Sequence, residues 1–152
     1  MSVLRRDVVR GLVFDDDGRI LLLRWRDPVT GKEFFEPPGG QREPGESHEG
    51  ALIREIAEES GLVDVEVHGE IGVIDHAFTF AGKDYDCVER YFSCRVTGPG
   101  RTELSLDAVE ATGVVGAEWF TPGELATLEV DVLEPPQLRA LVEDARAMTG
   151  EP

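Results

Sequence analysis

Glu55, Glu58 and Glu59 are the residues whose type and spacing first suggest chemistry. Spacings of three and four put their carboxylates on one side of a helix, where mutual repulsion costs roughly 0.5–1 kcal/mol in all. A solvated helix face is the ordinary explanation for such a cluster. The chemical explanation is a divalent cation, because carboxylate oxygens are hard ligands that Mg²⁺ shares with phosphate oxygens and water.

The overall charge of the chain limits the partners that it can accept. Its 15 basic and 31 acidic side chains give a net charge of −16. This excess of acid argues against a broad nucleic-acid-binding surface, which needs basic groups against phosphates. It also repels a small phosphorylated substrate unless a cation lies between the two.

Length and composition fit a single globular domain over residues 1–152, with 41% hydrophobic and 30% charged residues. No apolar run is long enough to span a membrane and the N-terminal residues lack a secretory signal, so we expect a cytoplasmic location. Cys87 and Cys94 match neither a zinc pattern nor a disulfide framework. Cys94 is expected to be a reduced thiol in the core.

The elements that must position the acids begin with a predicted β-hairpin. Its strands run from Val8 to Phe14 and from Ile20 to Trp25, joined by the turn sequence DDDG. A short aromatic strand over 32–36 follows and is expected to stop at the sequence PPGG, 37–40.

A helix over 47–60 is predicted to carry the three acids. Ser47 is a suitable N-cap, and Gly61 is placed just past the last turn, where the backbone often has positive φ. The acids lie opposite a predicted apolar stripe formed by Leu52, Ile53, Ile56 and Ala57.

Alternation in the second half predicts strands over 63–74, 85–96 and 114–120. In the middle strand the apolar face is formed by Val88, Phe92, Cys94 and Val96, and the opposite face by Glu89, Tyr91, Ser93 and Arg95. Helical spacing predicts a turn or two after Pro122 and a closing helix over 138–148. The order of elements predicts a mixed sheet with helices packed on it, an α/β fold.

One contiguous segment combines the acids with glycines and an arginine at fixed spacing. It resembles the Nudix (MutT-like) hydrolase family, whose pattern is G-x5-E-x7-R-E-U-x-E-E-x-G-U, with U a bulky aliphatic residue. Every required position is present, namely Gly40, Glu46, Arg54, Glu55, Ile56, Glu58, Glu59, Gly61 and Leu62. The resemblance implies a Nudix-type α/β/α sandwich and a complete Nudix box.

The resemblance also implies roles for the box residues. Glu55, Glu58 and Glu59 would be catalytic metal ligands for Mg²⁺, with Mn²⁺ as a substitute, and the Gly39 carbonyl would be a further ligand. Arg54 would orient a box glutamate through a charge-assisted contact, and Glu46 would brace the loop before the helix. A box glutamate or a downstream acid would act as general base.

Candidate residues outside the box have no motif of their own. Glu110 matches the place where the family often has a further metal-binding acid, with Asp107 and Glu118 as rivals. Arg24, Arg26, Phe35 and Arg90 are the main candidates for substrate binding, since arginine pairs with phosphate and an aromatic ring stacks on a base. Further candidates are Trp25, Phe78 and Tyr85.

The leading hypothesis is Mg²⁺-dependent hydrolysis of the pyrophosphate linkage in a small nucleoside-diphosphate-linked substrate. The alternatives are a nucleotide-binding or regulatory module on the same fold without turnover, and an acidic interaction domain whose helix only faces solvent. Many members of the family are dimers, so the resemblance also admits a homodimer.

Overall fold

Most of the chain forms a curled β-sheet and the helices that cover it. The computed structural model describes residues 5–97 and 113–149. The strands in these ranges are β1 (Arg5–Phe14), β2 (Ile20–Arg26), β3 (Glu33–Glu36), β4 (Gly39–Gln41), β5 (Val65–Phe80), β6 (Lys83–Val96) and β7 (Val114–Phe120). The helices are α1 (His48–Ser60), α2 (Pro122–Thr127) and α3 (Leu138–Thr149), with a 3-10 turn at Val130–Val132. Glu110 and Asp107, two predicted metal-site acids, lie outside the described residues.

The sheet is mixed, as the sequence predicts. Its strand order is β3-β2-β1-β6-β5, with β4 added to β1 and β7 to β2. β1 runs parallel to β6 along its whole length but meets β2 only beside the turn, at Phe14 and Ile20. The hairpin therefore opens away from its turn, and the start of β1 pairs with β4 instead.

The helices lie on opposite faces of the sheet, which gives the expected α/β/α layers. One core cluster joins Val9, Val13 and Leu21 to α1 residues Leu52 and Ile56. The other packs α3 against the opposite face and contains Leu12, Phe14, Tyr91, Leu138, Val142 and Ala145 among others. None of the helices in the described ranges is long and apolar enough to cross a membrane.

The helix that carries the acids begins and ends where the sequence predicts. The Ser47 hydroxyl accepts the Gly50 amide at its start, and Gly61, at φ 80°, ends it with a bond to the Ala57 carbonyl. The predicted stripe is wrong in one place, because Ile53 is 41% exposed while Ala51 is fully buried. The buried face of α1 therefore includes Ala51, Leu52 and Ile56 but not Ile53.

Two further features of the sheet depend on contacts that lie outside the local sequence. The PPGG segment does not only end β3, because Gly39–Gln41 pair with β1 as a short strand. The face of β6 that contains Glu89, Tyr91 and Ser93 is buried as well. α3 covers part of it, and the Ser93 hydroxyl donates to the Ala145 carbonyl at 2.9 Å.

Candidate metal and substrate site

The Gly39–Gly40 turn brings the backbone against the acidic helix. A Cβ on Gly39, at φ 153°, would lie 1.9 Å from the Val9 carbonyl oxygen, so only glycine fits. The Gly39 amide donates to Glu59 Oε1 at 3.3 Å. A Cβ on Gly40 would lie 2.6 Å from the Glu55 carboxyl carbon, which shows how closely that carboxylate sits on the turn.

Arg54 holds several carboxylates at once. Its Nε and Nη2 donate to the two oxygens of Glu46, both at 2.8 Å, and Nη1 donates to Glu55 at 2.9 Å and to Glu58 at 3.3 Å. The Arg54 hydrogen bonds lower the pKa of Glu46 to about 2. The fork to Glu46 fixes the plane of the guanidinium, which then faces the box carboxylates.

Glu59 is the most deeply placed of the three box acids. Burial raises the pKa of Glu59 well above its usual value, the Arg10 charge opposes this shift, and the neighbouring Glu55 adds to it through charge and a shared hydrogen bond. Its second oxygen, Oε2, is buried with no hydrogen-bond partner among the described residues. A buried carboxylate oxygen without a partner is costly, so this atom needs a proton or a cation.

The donor atoms at this site fit a hard cation. In the ranges 5–97 and 113–149 no group of three His, Cys, Asp or Glu side chains stands in an arrangement that could hold a metal ion. Mg²⁺ does not need such a group, because it is typically held by one or two carboxylates, with waters and substrate phosphates in the other positions. The carboxylates of Glu55 and Glu59, which interact with each other, are of the right chemistry to be such ligands.

A buried arginine lies behind the turn. Arg10, on β1, is 7% exposed, and its Nη1 lies 3.0 Å from Glu36 Oε1 and donates to the Gly39 carbonyl at 3.2 Å. Its Nη2 donates to Glu89 at 3.5 Å. Burial raises the pKa of Glu36 to about 7, against the lowering effect of the Arg10 charge.

The charged chain continues from Glu89 to the surface. His76 bridges Glu89 and Glu134, with each ring nitrogen 3.0 Å from a carboxylate oxygen. Burial disfavours the charged ring, but the two carboxylates outweigh it and raise the pKa of His76 to about 9. Burial also opposes ionisation of Glu89, yet the hydrogen bond to His76 and the Arg10 charge lower its pKa to about 2.

A cleft lies over this charged chain, between β3, β5 and the segment after β7. Its floor contains the carboxylates of Glu36 and Glu134, and aromatic rings form part of its wall. The lining residues are Asp27, Lys32, Phe34, Glu36, His76, Phe78, Thr79 and Glu134. Phe34 and Glu36 share this face of β3 because they are two residues apart. The cleft thus offers ring surfaces and hydrogen-bond acceptors, and one of its lining residues, Glu36, pairs with the Arg10 side chain that also contacts Gly39.

The structure does not bring the four main predicted substrate residues into this cleft. Arg24 lies 3.6 Å from Glu33, and Arg26 is exposed at the end of β2. The Phe35 ring packs against Phe120, with centroids 5.1 Å apart. Arg90 donates to Glu70 at 2.7 Å. Their role in substrate binding stays a prediction.

The remaining aromatic candidates lie nearer to the cleft. Phe78 lines it and stacks on Tyr85, with centroids 5.1 Å apart. Trp25 stacks on Phe34, which is itself part of the lining. Glu118, the rival of Glu110, is an exposed residue of β7.

Sequence reasoning missed most of the residues that build the cleft and its floor. Arg10, Glu36, His76, Glu89 and Glu134 are far apart in the chain and have no motif. One signal was present, because a charged residue within an apolar strand, such as Arg10 in Val8–Phe14, is rarely buried without a partner.

The mixed α/β/α sandwich, with an acidic helix against a glycine turn, places this protein in the Nudix fold class. The NUDIX domain model matches residues 4–141, and the chain belongs to the Nudix hydrolase family. Members of this family hydrolyse pyrophosphate linkages in nucleoside diphosphate derivatives and generally use divalent metals.

Two relatives with described functions match much of the chain. A Bacillus subtilis (strain 168) protein named "Putative 8-oxo-dGTP diphosphatase" is 29% identical over 114 residues, 75% of this chain and 65% of that protein. A MutT-like protein of Streptomyces ambofaciens is 32% identical over 124 residues, 82% of this chain and 69% of that protein. The chain therefore spans slightly less than two thirds of the length of the Bacillus relative.

Solved structures show the same fold. The MutT protein of Methanosarcina mazei Go1 has a TM-score of 0.65 and 19% identity, with 99% of each chain covered. A NUDIX hydrolase from Nitrosomonas europaea has a TM-score of 0.64 and 26% identity, covering 95% of this chain and 90% of that one. A C. elegans Ap4A hydrolase has a TM-score of 0.66 and 18% identity, covering 95% and 98%.

Proposed function

We propose that this protein hydrolyses, with Mg²⁺, the pyrophosphate linkage of a small nucleoside-diphosphate-linked substrate such as a nucleotide or nucleotide sugar. The observation that carries the proposal is the Glu55–Glu59 carboxylate pair against the glycine turn. The partnerless Glu59 Oε2 supports a cation at this pair. Mn²⁺, which also accepts oxygen ligands, is expected to substitute.

Glu55, Glu58, Glu59 and the Gly39 carbonyl are the proposed ligands of the cation. When bound, it neutralises phosphate charge and activates a water molecule. Arg54 orients Glu55 and Glu58 through its fork to Glu46. Glu58, whose side chain is 58% exposed, is the proposed acceptor of a proton from water, and Glu110 is the proposed alternative for that role or for a further ligand.

The cleft is the proposed place for the group attached to the pyrophosphate. Its aromatic rings offer a surface on which a base can stack. The carboxylates of Glu36 and Glu134 are acceptors, so they favour a group that presents N–H or O–H donors. The names of the relatives suggest which substrates to test first, namely oxidised purine triphosphates, Ap4A and UDP-linked compounds.

A substrate panel tests the proposal. The purified protein is incubated with 8-oxo-dGTP, dGTP, Ap4A and a UDP-sugar, each in excess Mg²⁺, Mn²⁺ or EDTA, in ¹⁸O-labelled water. Mass spectrometry of the products should show one substrate cleaved at the pyrophosphate, with one ¹⁸O in a product phosphate and no reaction in EDTA. A panel left intact in both metals, or cleavage that EDTA does not stop, contradicts the proposal.

A matched pair of variants tests whether a glutamate of the Nudix box is needed for the reaction. Glu58→Gln should lower turnover of the cleaved substrate at least about a hundredfold, the scale of losing a positioned proton acceptor. Glu66→Gln makes the same chemical change at an exposed site on β5 and should leave turnover unchanged. Equal activity of the two variants would exclude Glu58 from the machinery.

A cytoplasmic location, one domain over residues 1–152 and a homodimer are also part of the proposal. Cys87 and Cys94 are both free and buried, which suits a reducing compartment. Size-exclusion chromatography with light scattering measures the mass of the protein in solution. A monomer mass at every concentration would exclude the dimer.

A further inference from the structure

The burial of Arg10 is not explained by stability alone. Taking a guanidinium out of water costs several kcal/mol unless strong contacts replace the lost hydration. The contacts here are incomplete, because Nε has no partner among the described residues and the bonds to Glu89 and to the Pro37 carbonyl are 3.5 Å long. An apolar side chain on β1 would avoid these costs, so the position of the charge needs another reason.

The contacts of Arg10 Nη1 converge on the segment that leads into the box. Nη1 lies within reach of three acceptors, the Glu36 carboxylate at 3.0 Å and the carbonyls of Gly39 at 3.2 Å and Pro37 at 3.5 Å. Arg10 is also the register partner of Gly39 in the β1–β4 pairing. The turn is therefore fixed from one side by the Arg10 guanidinium.

Gly39 is also held from the other side. Its amide donates to Glu59, and no other residue type can adopt its backbone conformation next to Val9. A carbonyl oxygen has two lone pairs, so a hydrogen bond from Arg10 leaves one lone pair for a cation. Contacts behind a metal ligand typically decide its orientation and its affinity.

We propose that Arg10 is a positioning residue for the metal-binding turn: its guanidinium orients the Gly39 carbonyl, and Glu36 in turn holds the guanidinium. The inference rests on the proposed function, because it takes the Gly39 carbonyl as a ligand. Glu36 has a second role as part of the cleft floor. The same ion pair thus links the place proposed for the substrate group to the place proposed for the metal.

The direction in which the metal affinity changes distinguishes a positioning role of Arg10 from a purely electrostatic one. Arg10 is a cation close to Glu59, so its removal by Arg10→Gln should strengthen metal binding if charge were its only influence. Positioning predicts the opposite, a weaker site despite the loss of a repelling charge. Arg19→Gln, which removes a cation from the β1–β2 turn, measures the general effect of charge on metal binding.

The decisive variant is Arg10→Gln/Glu36→Gln, which removes one charge of each sign. It leaves no uncompensated Glu36 carboxylate, so it is expected to fold where Arg10→Gln alone fails to. Its melting temperature and circular dichroism verify the fold. The measurement is Mn²⁺ binding by electron paramagnetic resonance, in protein without substrate, so that it does not depend on turnover.

We expect the Mn²⁺ dissociation constant of the double variant to rise about tenfold over wild type, equivalent to about 1.4 kcal/mol. Arg19→Gln should bind Mn²⁺ as tightly as wild type or slightly more tightly. A folded double variant with wild-type or stronger affinity overturns this inference and leaves the proposed function standing. A wild-type protein that binds no Mn²⁺ overturns both.

Discussion

Arg54 and Glu46 meet through two parallel hydrogen bonds of 2.8 Å, from Nε to Oε2 and from Nη2 to Oε1. This fork joins the start of the Nudix box to the middle of its helix. Because it uses one edge of the guanidinium, the remaining Nη1 is directed at Glu55 and Glu58. The Arg54–Glu46 ion pair therefore sets the position of two proposed metal ligands.

Arg54→Lys tests whether the fork matters more than the charge. A lysine keeps the positive charge but lacks the planar fork, so Glu55 and Glu58 lose their fixed neighbour. We expect turnover to fall about 10- to 100-fold, while the free energy of unfolding changes by about 1 kcal/mol or less. Steady-state kinetics and urea unfolding measure the two quantities. Wild-type turnover in Arg54→Lys would show that charge alone suffices.

Gly40→Ala should separate the position of Glu55 from the stability of the turn. The added Cβ would lie 2.6 Å from the Glu55 carboxyl carbon, which is the flexible end of a side chain and can move aside. We expect the variant to fold with wild-type stability but to bind Mn²⁺ more weakly. Gly72→Ala is the control, because its Cβ would make only an ordinary contact of 3.5 Å with Leu141.

Gly39→Ala, in contrast to Gly40→Ala, should destabilise the fold itself. Its Cβ would lie 1.9 Å from the Val9 carbonyl oxygen, which is backbone within the sheet and cannot move aside. Together with the strain at φ 153°, this should cost more than about 3 kcal/mol in the free energy of unfolding. Urea unfolding of the two neighbouring variants makes the comparison, and equal stabilities would contradict it.

The sequence predicted those elements whose signals are local. Ser47 and Gly61 mark the ends of α1, and period-two alternation marks β6, so both were found nearly in full. The α/β/α layers follow from the order of such elements. Ile53 was wrongly placed in the core because a shift of one residue around a helix is too small for the pattern to resolve.

The parts that sequence did not predict depend on contacts between distant segments. β4 forms because Gly39–Gln41 pair with the first half of β1, which β2 does not reach. The floor of the cleft needs Arg10, Glu36, His76, Glu89 and Glu134, which come from four strands and a loop. Apart from Arg10, a charged residue within an apolar strand, each is ordinary in its own segment. Only the fold reveals that their charges alternate in sign along one chain of contacts.

Glu59→Gln should keep or raise the stability of the metal-free protein. Glu59 Oε2 is buried without a partner in the part of the chain that the structure describes, and the ionised form is disfavoured by burial and by Glu55. A neutral amide avoids that repulsion, so the melting temperature in EDTA should stay level or rise. Mn²⁺ should stabilise the wild type but not the variant in the same thermal assay. A large loss of stability in EDTA would show that Glu59 is a structural residue.

His76 should make the stability of the fold depend on pH in the alkaline range. Its pKa is about 9 in the folded protein against 6.5 for a free side chain, because the ring is held between Glu89 and Glu134. The folded state therefore binds more protons between these values. The stabilisation is complete below pH 6.5 and is lost as the pH rises through 9, by up to about 3 kcal/mol. Glu36, with a pKa of about 7, acts mainly at lower pH, between 4.5 and 7.

Urea unfolding in EDTA between pH 7 and pH 9.5 measures this dependence, and His76→Gln should lose most of it. Other groups whose pKa differs between the folded and unfolded states, such as Cys94, are common to both proteins. Their contributions cancel when the two pH dependences are subtracted. His48→Gln is the matched control, since that ring is about one third exposed and pairs with the partly exposed Asp7 carboxylate. The His48→Gln variant should keep the wild-type slope, because His76 still pairs with Glu89 and Glu134. Parallel slopes for wild type and His76→Gln would mean that the folded protein does not hold an extra proton on the His76 ring in this pH range.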